Sequence, residues 1–152
     1  MISLTGDDNL ILNNGSDRVL KDFGDGDIAT LNFPDKLVEA KVGKNGNTIF
    51  AFKASGKKVE VEIRVLAGSN DDKFLNKELT MYQQNPPSYV LMSGEFIKRV
   101  GDGKGKVTNV VYKLENGLVA GYPNAKENVD GEIEQSLAIY SLIFVNTDRI
   151  MG

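Results

Sequence analysis

The chain has 152 residues and is mildly acidic, with 18 Lys and Arg against 21 Asp and Glu, a formal charge of -3 and a pI near 5.0. It contains no Cys and no His, which excludes disulfides, thiolate and His-ligated metal sites, and Ser-His-Asp or Cys-His catalysis. A chain of this charge lacks the basic footprint needed to grip nucleic acid, and no run approaches the roughly 20 apolar residues of a membrane span.

The length predicts one domain over 1–152. Met1 to Leu12 lacks a basic region followed by an apolar run, so it does not read as a signal peptide, and a cytoplasmic site of synthesis and folding is expected. Clusters of Gly, Asn and Asp punctuate the chain at Asn13-Asn14-Gly15, Gly24-Asp25-Gly26, Gly43 to Asn47, Gly101 to Gly105, Asn116-Gly117 and Asp130-Gly131. These residues tolerate positive φ and mark turns. Between them lie short runs rich in Val, Ile, Phe and Tyr, the pattern of a β protein.

In chain order, strands are predicted at Asn9 to Leu12, Ile28 to Phe33, Val38 to Val42, Thr48 to Lys53 and Lys58 to Leu66. The last is the clearest. Val59, Val61, Ile63 and Val65 alternate with Lys58, Glu60, Glu62 and Arg64, giving one buried and one wet face. Lys36 to Lys53 reads as two strands joined by Gly43-Lys44-Asn45-Gly46-Asn47, either a projecting hairpin or an ordinary one within the sheet. Ser69, Asn70, Asp71 and Asp72 then supply N-cap chemistry and negative charge for a helix from about Asp71 to about Gln84. Phe74, Leu75, Leu79 and Tyr82 form its apolar face, and Pro86-Pro87 stops it. Further strands are predicted at Tyr89 to Val100, Val107 to Glu115, Leu118 to Tyr122 and Glu132 to Val145. From Leu137 to Val145 the last is apolar on both faces apart from Ser141 and the Tyr140 hydroxyl, as in a strand covered on both sides, the second cover being the domain's own helix or a neighbouring subunit. The predicted class is mainly β, a β-sandwich or flattened barrel with one flanking α-helix.

Segments with a chemical look are better read as structure. Gly101 to Lys106 lacks the Gly-Lys-Ser/Thr ending and the strand–helix setting of a phosphate loop, and reads as a hairpin turn. Asp22 to Asp27 lacks the Gly and Glu positions of a calcium loop and reads as an acidic turn. Glu60 and Glu62 share a strand face, but no aromatic sugar platform accompanies them, so a solvated face is favoured over carboxylate hydrolysis. Asp71, Asp72, Glu78, Glu127, Asp130, Glu132 and Glu134 read as surface charge. Tyr112, Tyr122 and Tyr140 read as core or interface residues, because no cations interleave with them. No catalytic residue, metal site or cofactor is expected.

Phe33-Pro34, Val42 to Ile49, Val61 to Gly68 with Ser69 to Leu75 behind it, Met92 to Gly103, and the segment from Ala125 to Glu134 resemble, in order and spacing, a family of tail tube proteins of contractile-tailed phages and prophages. The resemblance runs from about Ile2 to Gly152. It implies a β-sandwich with a flanking helix, hexameric rings, a ring-lining barrel, and stacking into a tube inside a sheath, similar to the type VI secretion tube. The implied partners are other copies of the chain, the tail sheath protein, tube initiator or baseplate and terminator proteins, and DNA passing without sequence-specific binding. The implied location is the virion. Under that resemblance Lys58, Glu60, Glu62 and Arg64 are candidates for the lumen face, with Glu95 or Lys113 able to serve the same role; the Lys36 to Lys53 segment, with Gly43 to Asn47 at its turn, is the candidate ring-stacking element, and the Gly101 to Lys106 turn is a second candidate. The competing reading is a β-sandwich binding module of adhesin or carbohydrate type.

Overall fold

The alternation along the clearest predicted strand sets the architecture. Val59, Val61, Ile63 and Val65 are each no more than 1% exposed, while the residues between them face outward. The computed structural model describes residues 2–4, 9–15, 17–21, 23, 29–101, 103–130 and 133–151, with the backbone alone described at 2–4, 9, 125–130 and 133–136. Apart from Phe23, the predicted acidic turn at Asp22 to Asp27 lies outside these residues, as do Gly131 and Glu132.

Eleven strands and one α-helix occur among the described residues. They are β1 (Ile2–Leu4), β2 (Asn9–Asn13), β3 (Asp17–Val19), β4 (Ala29–Asn32), β5 (Val38–Val42), β6 (Thr48–Phe52), β7 (Val59–Leu66), α1 (Asn70–Gln84), β8 (Met92–Gly101), β9 (Val107–Val119), β10 (Asn124–Asp130) and β11 (Ile133–Met151). Nine strands make one antiparallel sheet in the order β1-β4-β7-β11-β9-β8-β2-β3, with β10 also paired to β11. β5 and β6 form a separate two-stranded ribbon. The class is therefore mainly β with one helix, as the sequence predicts. The sheet does not close into a barrel, because β1 and β3 are its unpaired ends among the described residues.

β11 organises this sheet. It pairs with β10 over Ile133 to Ile139, with β7 over Leu137 to Phe144, and with β9 over Leu142 to Met151. β7 shares rungs with both β10 and β9, so those two lie end to end along the opposite edge of β11. At 19 residues β11 spans about 60 Å. β7 reaches only to Leu137, so β10 and the start of β11 form an arm running past it.

A core row crosses four strands through Leu31, Val61, Leu142 and Val119, each no more than 2% exposed. Leu75 and Leu79 of α1 belong to the same hydrophobic cluster. Ser69 caps the helix, its hydroxyl accepting from the Asp72 N–H at 3.2 Å, and Asn85-Pro86 ends it.

Two sequence expectations are corrected here. Asn116-Gly117 is not a turn between strands but lies inside β9. Asn116 takes the left-handed conformation (φ 57°), and the inward-facing positions pass from Gly117 and Phe144 to Leu114 and Thr147 as the paired strands rotate together. An Asn-Gly pair permits positive φ, and here it makes an irregularity that bends the ladder instead of reversing it. β11 also continues six residues past Val145, and among the described residues its outward face is covered only in part: Leu137 is 2% exposed, Ile139 and Ile143 are half-buried and Val145 is 59% exposed.

Gly117 is needed where it stands. A Cβ there would overlap the ring of Phe144, a residue with no exposed surface. Gly117→Ala is therefore expected to destabilise the protein by about 1–3 kcal/mol, against the usual gain from replacing a strand glycine. Urea unfolding measures it, and an unchanged or raised midpoint would show that the Phe144 ring has room to move.

Candidate functional site

The most unusual surface is the ribbon. All ten residues of β5 and β6 are exposed. Direct partners share a face, so Val38, Ala40, Val42, Thr48, Phe50 and Phe52 line one side, and Glu39, Lys41, Ile49 and Ala51 the other. Val42 and Phe50 are each 71% exposed and Phe52 66%. The ribbon is hydrogen-bonded to no other strand among the described residues. Between the two predicted alternatives for Lys36 to Lys53, the hairpin stands off the sheet.

Its base is clasped by Asp35. That carboxylate accepts from the Ser55 hydroxyl at 2.6 Å, the Lys36 N–H at 3.0 Å and Lys53 Nζ at 3.3 Å. The Ser55 bond chiefly, then Lys53 and Lys36, holds the Asp35 carboxyl below its usual range. At the other end Gly43 to Asn47 makes a tight tip, with the Gly43 N–H on the Asn47 carbonyl at 2.8 Å and Gly46 at φ 78°.

The second surface is the sheet face turned away from the core. Cross-strand rows run Thr30–Glu62–Ser141, Asn32–Glu60–Ile143–Leu118 and Ile11–Glu95–Lys113–Asp148. Two shallow grooves here are lined by Asp17, Glu60, Glu62, Glu95 and Glu115 against the single cation Lys113. Arg64 bonds Glu62 at 3.3 Å and Lys57 bonds Asp148 at 3.2 Å. The predicted set Lys58, Glu60, Glu62 and Arg64 is thus on or beside one wall, together with Glu95 and Lys113. Gly43 to Asn47 sits apart from it, at the tip of the separate ribbon.

Helix α1 carries the polar residues that sequence reasoning misplaced. Asp71 and Glu78, read as surface charge, are 0% and 3% exposed. Asp71 accepts from Arg18 at 3.0 Å and from the Lys21 N–H at 2.6 Å. Glu78 accepts from Asn14 Nδ2 at 2.6 Å and from the Tyr89 hydroxyl at 2.8 Å. These partners come from the β2–β3 region and from the segment after α1, so the burial is offset by charge-assisted hydrogen bonds. The signal was available: positions 71, 75, 78 and 79 fall on one helical stripe. Tyr140 donates to Asp72 from β11. Tyr112 and Tyr140 are buried as predicted, while Tyr122 is 73% exposed and bonds Gln83.

Among the described residues no group of three or more carboxylates converges as a metal site, and no helix is long and apolar enough to cross a membrane. No protein-family model matches the chain, and no curated protein matches it.

Burial, together with the hydrogen bonds to Glu78 and Asp72, raises the hydroxyl pKa values of Tyr89 and Tyr140 well above the ordinary tyrosine value. The folded state holds both protons while the unfolded chain releases them near pH 10. Their contribution is therefore complete below about pH 10 and is lost as pH rises beyond it. Denaturant unfolding at stepped alkaline pH should show that loss, and Tyr89→Phe with Tyr140→Phe should flatten it. A slope unchanged by the double substitution would assign alkaline unfolding to other groups.

Proposed function

We propose that this chain is a structural subunit of a phage tail tube, acting by self-assembly into stacked hexameric rings and not by catalysis. The observation that carries the reading is the exposed apolar ribbon. A lone two-stranded hairpin is marginal in water, and an apolar face of this kind marks an interaction surface. Among the described residues nothing covers Val38, Val42, Phe50 and Phe52, and in a homopolymer another copy supplies the dry environment they lack.

Other features support the same reading. Among the described residues the sheet has open ends at β1 and β3 and an arm at β10, and ring closure is one way to remove such edges. In the assembled state the curved sheet and α1 act as a flattened sandwich, and sheets of neighbouring copies join into a barrel lining the lumen. Lys58, Glu60, Glu62 and Arg64, with Glu95 and Lys113, form its wet wall. The excess of carboxylates in the two grooves there lets DNA slide past without sticking. The ribbon, with Gly43 to Asn47 at its tip, is the ring-stacking element. The remaining partners are the tail sheath protein and the initiator or baseplate and terminator proteins, in the virion after assembly in the host cytoplasm. No cofactor takes part.

The binding-module reading has one feature in its favour, the exposed rings of Phe50, Phe52 and Tyr122. Two of these sit among Val38 and Val42, a setting suited to protein contact more than to sugar stacking.

Negative-stain electron microscopy at high concentration tests the proposal, with hollow rings or tubes expected. Interfaces on the order of 2,000 Å² or more are expected for a permanent polymer. Phe50→Ser with Phe52→Ser, and separately deletion of 43–47, should leave circular dichroism unchanged while shortening or abolishing tubes. Polymerisation equal to the parent would remove the ribbon from the stacking role. A parent that stays dispersed at every concentration and salt would favour the binding module.

A further inference from the structure

The chain holds three Asn-Gly pairs, Asn14-Gly15, Asn45-Gly46 and Asn116-Gly117. In such a pair the glycine nitrogen has no side chain beside it to shield it, and it can attack the Asn carboxamide. The attack needs a carboxamide free to turn, a backbone free to follow it, and open space. The fold grants these unequally. Asn14 is half-buried, and its amide is tied to the buried Glu78 at 2.6 Å. Gly15 N–H is itself engaged, by Asn13 Oδ1 at 3.1 Å. Asn116 is exposed, but Gly117 is buried between two partner strands, opposite Met92 on one side and Phe144 on the other. A Cβ on Gly117 would run into the Phe144 ring, so the peptide has no room to swing. Asn45 differs from both. It is exposed at the tip of the ribbon, and its side chain makes no hydrogen bond among the described residues. A Cβ on Gly46 would meet nothing within 4 Å. The Gly46 N–H is held by one turn bond, to the Gly43 carbonyl at 3.0 Å, on an exposed tip where such bonds open most readily.

We propose that Asn45-Gly46 is a site of spontaneous deamidation in the free subunit. The Gly46 nitrogen attacks Cγ of Asn45. A new N–C bond closes a succinimide ring, the Cγ–Nδ2 bond breaks, and Nδ2 leaves as ammonia with the proton from Gly46. Water then opens the ring at either carbonyl, leaving an aspartyl or an isoaspartyl residue at position 45. No oxidant, metal or enzyme is needed. Each product adds one negative charge to the tip. The isoaspartyl form also lengthens the backbone by one atom, inside a turn closed by the Gly43 N–H on the Asn47 carbonyl at 2.8 Å. The modification stands without any functional assignment. Its consequence rests on the stacking role given to the ribbon: like charges brought together at a ring interface oppose assembly, so a subunit left unassembled ages out of use.

The test keeps the full, folded chain at mildly alkaline pH and follows each Asn-Gly pair by tandem mass spectrometry of its tryptic peptide. Replacement of the amide by an acid at position 45 is expected at least about tenfold faster than at 14 or 116, because those two need a local opening that the tip does not. In urea the three pairs should convert at similar rates, which shows that the fold sets the difference. Asn45→Gln should abolish the change at position 45 and leave the other two as they were. Conversion at Asn14 or Asn116 as fast as at Asn45 in the folded chain would overturn the proposal. So would an Asn45 that stays intact in the folded chain while the urea-treated chain converts. The stacking role is read separately, by comparing Asn45 in tubes and in free subunits. Protection in tubes is expected, and equal rates would take the tip out of the interface while leaving the modification established.

Discussion

The pairing of β11 with three other strands is the constraint on which the rest of the structure depends. A strand's side chains alternate faces, so one register fixes the faces of every strand hydrogen-bonded to it. With Leu142 opposite both Val61 and Val119, the inward sides of β7 and β9 follow, and β4 follows from β7 through Leu31. A slip of one residue would send Tyr140, Leu142 and Phe144 to the polar wall and bring Ser141 into the core. The same strand extends past β7 and carries the arm, so one element sets both the core and the reach of the molecule.

Helix α1 is held by polar contacts as much as by Leu75 and Leu79. Asp71 ties it to Arg18 and Lys21, Glu78 to Asn14 and Tyr89, and Asp72 to Tyr140. A buried carboxylate is costly unless its oxygens are satisfied, and here the partners arrive from segments remote in sequence. These bonds fix the turn between β2 and β3 against the helix. Arg18, which lies over the Phe74 ring, is in this way paired with the buried Asp71 beneath it.

The monomer divides its apolar residues unequally between inside and outside. The core cluster is complete, with Phe96, Tyr140 and Phe144 at no more than 1% exposure. The ribbon meanwhile leaves Val42, Ile49, Phe50 and Phe52 in water. The exposed apolar surface of the ribbon is what the proposed self-assembly would cover. The proposed wall lies on the main sheet and is lined by carboxylates, while the ribbon is a separate two-stranded sheet with an apolar face.

Sequence alone determined the features that local chemistry controls. The strict alternation of Val59 to Leu66, the Ser69 cap and Pro86 stop of α1, and the glycine turns at Gly15 and Gly46 each act within a few residues. The absence of His and Cys likewise removed whole classes of chemistry before any fold was known. Only the tertiary structure decided what depends on distant partners. Asn116-Gly117 became a bend inside β9 because β11 continues beside it, and Gly117 is required because the Phe144 ring rests on it. Asp71 and Glu78 are buried because Arg18, Lys21, Asn14 and Tyr89 meet them there. The ribbon of Lys36 to Lys53 could have joined the sheet or stood away from it. Its own alternation is the same in both cases, so only the pairing of the other strands settled which.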